Sequence, residues 1–201
     1  MRIRIISVVT IFLITYGLSA QVGIGTVSPS AELEISGSNT GIPTLELNPQ
    51  SAPTGSTTGQ LAVIGDMLFM YDATRGKWLS VESTTLALGR GGNINSGNLR
   101  ATGNQANSRS GYLMPFNGTI VAITAKSNDG NGAQTKQFSV RVRNGNTTNT
   151  SMNITTSSSE YINTAANVDF SSGDYINVTS NNDGNGNVSN ASVVIWVKWR
   201  R

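Results

Sequence analysis

Cysteine and histidine are both absent from this chain of 201 residues. Without cysteine there are no disulfide staples, no thiol nucleophile and no thiolate metal ligand. Without histidine there is no Ser-His-Asp triad and no His-based metalloprotease site. Charged residues make up 12% of the chain and aromatics 6%. No dense Lys/Arg stripe with interleaved aromatics exists, which argues against a nucleic-acid partner. Gly23 and Gly25 start a G-x-G pattern, but Ser28 takes the place of the third glycine, and no Gly-Lys-Ser/Thr phosphate loop occurs. Lys, Glu, Ala and Leu rarely recur at helical spacing, so an all-β fold is expected.

One long apolar run is present, from Ile5 to Ile14. Arg2 and Arg4 precede it and the small-residue stretch "GLSA" follows. The run is short for a membrane span, and the pattern is that of a secretory signal peptide over 1–20. A secreted or cell-surface location is therefore expected, with no transmembrane segment once the signal is removed. Leaving out Arg2 and Arg4 takes the fourteen basic residues to twelve, against eleven acidic. The remaining charge is unevenly spread. Residues 21–89 carry Arg75 and Lys77 against six acids, while 90–201 carry ten basic residues against five acidic.

What the chain has in quantity is short alternating strands and strong turn signals. In "QVGIGTVSPSAELEI" (21–35) glycine alternates with Val22 and Ile24, and Glu32 and Glu34 alternate with Leu33 and Ile35. "TLELNP" (44–49) repeats the pattern with Leu45 and Leu47. Gly65-Asp66 and "ATRG" (73–76) bracket a strand and start another, which sets Tyr71 opposite Trp78. The run "GRGGNINSG" (89–97) reads as a linker or a hinge. A boundary there divides the mature chain into a β-rich stalk at 21–92 and a C-terminal head at 93–201.

In the head, Asn117-Gly118 and Asn144-Gly145 are hairpin signals, "SNDGNG" (127–132), "SSGD" (171–174) and "NNDGNGN" (181–187) are turns, and Phe138, Val140 and Val142 alternate with polar neighbours. About eight strands at this spacing predict an antiparallel jelly-roll sandwich. The closing strand is apolar on both faces, with Val193, Ile195, Val197 and Trp199 on one and Val194 and Trp196 on the other. "TIVAITA" (119–125) has the same look. Two-sided apolar strands in a domain with one core call for a second buried surface, either another subunit or a covering loop. The front strands are too thin to own a core. Three copies sharing an axial core through Val22, Ile24, Leu33, Ile35, Leu45 and Leu47, and meeting again at Val194 and Trp196, satisfy both needs, so a homotrimer is expected.

"VGIGTVSPSAELEI" resembles a stalk element that recurs in exported fibre-like proteins of Gram-negative bacteria and in phage tail fibres, and "GDMLFMYDATRGKWLSV" is similar to a module of fibre and surface proteins. "GYLMPFNGTIVAITA", "FSVRVRNG" and "VDFSSGDYINV" resemble the small jelly-roll heads of the C1q/tumour-necrosis-factor-like class. The resemblance implies an exported, homotrimeric, adhesin-like surface protein. The stalk element occurs once, so the implied object is stubby.

No catalytic set, cofactor or metal site is identified, and an enzyme is not expected. Asp169 and Asp174 lie across a turn, but such aspartates ordinarily shape the turn. The doubled "DGNG" offers Asp129, Asn131, Asp183 and Asn185 as oxygen ligands. An EF-hand is excluded because Val188 and Val194 fall where glycine and glutamate are required. The second function class is a carbohydrate-binding module, calcium-assisted or not, using these loops and an exposed Tyr161 or Tyr175 against surface glycans.

Overall fold

The computed structural model describes residues 22–24, 26–28, 30–37, 41–101, 109–129, 135–181 and 187–200, and the expected signal peptide lies outside them. Among the described residues there is no helix, and none long and apolar enough to cross a membrane. The chain is all-β. It divides into two compact units, Met1–Asn48 and Pro49–Arg201.

The first unit contains a two-stranded ribbon, β1 (Val22–Ile24) and β2 (Leu33–Ile35), paired in parallel. Val22 sits opposite Leu33 and Ile24 opposite Ile35. Residues in register share a face, so all four apolar side chains lie on one side of the ribbon, with Gly23 and Glu34 on the other. Val22 N–H donates to Glu32 O and Ser36 N–H to Ile24 O, at 2.7 and 2.8 Å. A Cβ on Gly23 would sit 2.6 Å from Thr26 O, so the short crossover passes only over a glycine. Leu45 and Leu47, expected in a strand, belong to none.

The second unit begins with a three-stranded meander: β3 (Leu61–Ile64), β4 (Met67–Asp72) and β5 (Lys77–Ser80). Gly65 and Gly76 supply the positive φ its two turns require, at 65° and 66°. Tyr71 and Trp78 are paired as expected, with ring centroids 5.3 Å apart. Ala62, Ile64 and Phe69 form a small core backed by Met67 and Trp78.

The rest is a sandwich of two five-stranded sheets. One holds β6 (Thr84–Ile94), β15 (Val188–Trp199), β9 (Gly118–Asp129), and β12 (Glu160–Asn163) with β13 (Val168–Phe170) end to end along β9. The other holds β11 (Thr147–Thr156), β10 (Lys136–Asn144), β14 (Tyr175–Asn181), and β7 (Ser96–Asn98) with β8 (Tyr112–Leu113) end to end along β14. The chain crosses between sheets and its last strand lies beside β6, the order of a jelly roll. Phe138, Val140 and Val142 of β10 meet Ile176 and Val178 of β14 on the inner face, opposite Ile120, Ile123, Val193, Ile195 and Val197, all buried.

Three local readings are corrected. The glycine-rich run at 89–97 is not a linker: β6 runs through 92 and pairs with β15 from Ile94 to Thr84, so the 92/93 boundary falls inside a strand and the division lies at 48/49. Glycine is tolerated there because Gly89 packs against the Ala191 carbonyl, where a Cβ would stand at 3.3 Å. Asn117-Gly118 makes no hairpin. Gly118 opens β9, and its missing side chain leaves room for the Phe170 ring and Lys198 O, 2.3 and 2.7 Å from where a Cβ would be. Finally, "TIVAITA" is not apolar on both faces. Trp196 pairs with Ala122 and Val197 with Ile120, skipping Val121, and this bulge turns Ile120 and Ile123 to the same, inner side.

Candidate functional site

Three places were singled out by the sequence: the turn loops, the two tyrosines and the apolar contact residues. Asp129 is the last residue of β9 and pairs with Val188 at the start of β15, so the end of one strand lies beside the start of the other. Asn131, Asp183 and Asn185 lie outside the described residues. No three acidic side chains converge among the described residues. Asp174 is a buried turn residue. Its carboxylate accepts Ser171 N–H at 2.8 Å and the Asn144 and Asn149 amides at 3.2 and 3.4 Å.

Tyr175 is not the exposed ring expected: it is 9% exposed and its hydroxyl donates to Gly145 O at 2.7 Å. β14 is buried on both faces at this point, so its alternation gave no sign of which residue would be open. Tyr161 is half-buried and packs on the sandwich core. With Ile162 and Val194 it lines a hollow of about 250 Å³ flanked by the Lys126–Glu160 ion pair. That pair holds the Glu160 carboxyl below the usual range through a hydrogen bond from Lys126 and its charge.

Val194 and Trp196 are half-buried on the outer face of their sheet. Part of that face is covered from within the chain. The meander docks there through Arg75, whose guanidinium donates to Ala166 O, Val121 O and Thr164 O at 2.9, 3.1 and 3.1 Å and to Asp72 Oδ2 at 2.6 Å. Burial works to raise the Asp72 carboxyl, but the hydrogen bonds and charge of Arg75 outweigh it and hold it low. Lys77 reaches Asn167 and Asp169, and Trp199 N–H donates to Ser80 Oγ at 2.9 Å.

The apolar face of the ribbon is open. Val22, Ile24 and Leu33 are 52%, 55% and 58% exposed. Ile35 is partly covered.

A further site was not legible in the sequence. At one end of the sandwich the turn 115–117, the turn holding Ser172 and the end of β15 enclose a hollow of about 330 Å³, with Met67 at its border. Phe116 is 55% exposed and stands edge-on to Trp199, centroids 5.7 Å apart and planes at 80°. Trp199 is braced from behind by Phe170 at 6.3 Å. Asn117 Oδ1 accepts Ser172 N–H at 3.0 Å and Asn117 O accepts Arg200 N–H at 2.9 Å, so Asn117 ties the three polar residues together through its side chain and its backbone. Beside them Asp169 Oδ1 accepts Lys77 Nζ at 2.5 Å and Thr119 Oγ1 at 2.7 Å, while Arg200 Nε stays 3.7 Å away. Burial alone would raise the Asp169 carboxyl; the bonds from Lys77 and Thr119 and the charges of Arg200 and Lys77 keep it low. Phe116 and Arg200 are far apart in sequence. Pairing of the closing strand with the one after Asn117 was the signal that would have joined them. No protein family, curated protein or solved structure matches the chain.

Proposed function

We propose that this is an exported structural or adhesive surface protein, a short homotrimeric fibre whose jelly-roll unit meets the surface to which it attaches. The observation that carries the reading is the ribbon face. Val22, Ile24, Leu33 and Ile35 form one apolar row on a two-stranded sheet, three of the four more than half exposed, with no second layer among the described residues of their unit. A lone two-stranded ribbon is marginal in water. Identical ribbons brought together by rotational symmetry bury the row against itself. Ile42 and Leu45 are also exposed in this unit, which adds to the surface available for association. The jelly-roll unit, by contrast, owns a core. The signal-like segment at 1–20 supports export, and the lack of a recognisable catalytic set supports attachment over turnover.

The test is the mass of the signal-free chain in solution by light scattering, beside the same measurement on residues 49–201. Three times the chain mass for the first and the single-chain mass for the second is the expected outcome. A folded monomer of the longer protein at micromolar concentration, with its ribbon amides protected from exchange, removes the basis of the proposal.

A further inference from the structure

We infer that the Phe116–Trp199–Arg200 hollow binds a carboxylate-bearing saccharide. The Arg200 guanidinium carries the argument. Its Nε is buried without a hydrogen-bond acceptor, and its nearest carboxylate oxygen, Asp169 Oδ1 at 3.7 Å, already receives Lys77 and Thr119. The guanidinium thus has only a long contact to Asp169 among the described residues, and the side chain, 28% exposed, lends its open end to the lining of the hollow, where an acceptor from outside can reach it. Two cations share one carboxylate here, which leaves a net positive charge in a partly desolvated corner. Arginine's planar fork matches a carboxylate with two parallel hydrogen bonds.

The rest of the hollow selects the body of the ligand. Phe116 and Trp199 stand nearly at right angles and form an apolar corner, against which the C–H face of a pyranose ring packs. Asn117 is held through its oxygen, and among the described residues its Nδ2 has no acceptor, which leaves it as a donor for a ring hydroxyl. Ser172 donates its own hydroxyl proton to Pro115 O at 2.8 Å, which leaves its oxygen as an acceptor. A volume of about 330 Å³ lies at the small end of ligand sites and suits a terminal sugar rather than an extended chain. An acyclic carboxylate, such as the end of a peptide, would use Arg200 but leave the aromatic corner and the two hydroxyl partners idle. The inference deepens the attachment reading and rests on it, in that it names what the jelly-roll unit would attach to.

The experiment is a chemical-shift titration of the ¹⁵N-labelled signal-free protein with digalacturonate, galactobiose as its neutral counterpart, and N-acetylglycine as a peptide-end mimic. Digalacturonate is expected to shift the signals of 116–118, 172–173 and 199–200 saturably, at least about fivefold more tightly than galactobiose. Arg200→Gln and Phe116→Ser are each expected to weaken it about tenfold, the scale of a lost charge-assisted hydrogen bond or aromatic contact. Phe116 is exposed enough that its variant folds, so it decides the matter should Arg200→Gln lower the melting temperature. No saturable shift, shifts centred elsewhere, equal affinity for galactobiose, or indifference to both substitutions overturns the inference. N-acetylglycine binding as tightly as digalacturonate overturns the saccharide class. The mass measurement is independent: a trimer without binding sinks this inference alone, and a monomer with binding sinks the trimer alone.

Discussion

Val22, Ile24, Leu33 and Ile35 in the ribbon and Phe138, Val140, Ile176 and Val178 in the sandwich are arranged alike. Both are rows of apolar side chains on one face of hydrogen-bonded strands, alternating with polar or small neighbours. The second row is at most 1% exposed, while three members of the first are more than half exposed. The strands do not differ in pattern; they differ in what faces them. β10 and β14 have a second sheet opposite, and burying each such side chain stabilises the fold by roughly 1.5–3 kcal/mol. The ribbon has none among the described residues of its unit. Alternation therefore tells which face is apolar, and the number of strands around it decides whether the chain can cover that face alone.

The largest expected difference between the two regions comes from trimming each row by the same amount. Ile195→Ala removes a fully buried side chain from the centre of the sandwich and is expected to cost about 2–5 kcal/mol in urea unfolding. Ile24→Ala is expected to change the same transition by less than about 0.5 kcal/mol while lowering the solution mass. Equal costs would mean that the ribbon belongs to the same cooperative core, and the contrast would fall.

Next in size is the docking of the meander. Arg75 is the one side chain described that ties three carbonyls of the sandwich, and its removal strands those oxygens and the Asp72 carboxylate. Arg75→Ala is expected to weaken docking by about 2–3 kcal/mol. Amide exchange would read it as faster exchange at Lys77–Ser80 with β10 unchanged. Arg75→Lys is not expected to restore protection, because a single ammonium cannot reproduce the fork. Full protection in Arg75→Ala would show that the Leu79–Arg200 bridge and the Ser80 contact suffice.

A smaller effect is expected where the ribbon turns. Gly23→Ala puts a methyl group 2.6 Å from the Thr26 carbonyl oxygen, so the crossover must shift and β1 loses its register with β2. Strain of this kind costs on the order of 1–3 kcal/mol locally. Melting of the jelly-roll unit is expected to stay unchanged, and the mass to fall. A drop in jelly-roll melting would show that the two units fold as one.

These particulars also mark what a reader of the sequence could reach. The fold was legible where alternation and turn chemistry agree: in the sandwich at Phe138–Val142 between its neighbours, and in the meander at Gly65-Asp66 and the Tyr71–Trp78 pair. It was misread where one residue changes the phase: the bulge at Val121 brings two isoleucines inward that strict alternation separates. Glycines misled twice, because Gly118 and Gly89 serve close approach rather than a turn or a hinge. The two ribbon strands were legible because their apolar residues alternate with glycine or glutamate. Tyr175 was chosen as open and is buried, since a strand covered on both sides does not betray its exposure. The aromatic hollow was missed because its parts come from three segments that only the closing strand assembles.

The smallest expected effect is in pH. Asp72 and Asp169, which hold the meander's edge through Arg75 and Lys77, both have carboxyls lowered in the folded protein. A lowered carboxyl contributes stability that is in place above its unfolded value, near 4, and that disappears as pH falls through the folded value beneath it. Docking should thus be constant from about pH 5 to 8 and loosen below about pH 4. Asp169 is 42% exposed on its side chain, so solvent screens its pair with Lys77 and the contribution is within about 1 kcal/mol. Trp78, beside Tyr71 in the meander, reports the loosening by fluorescence; Asp169→Asn should flatten part of the acid limb while the sandwich unfolds at lower pH still. If the acid limb were unaltered by that substitution and by Asp72→Asn together, the meander would be held by its apolar contacts, and its dependence on charge would be no greater than that of the core it sits on.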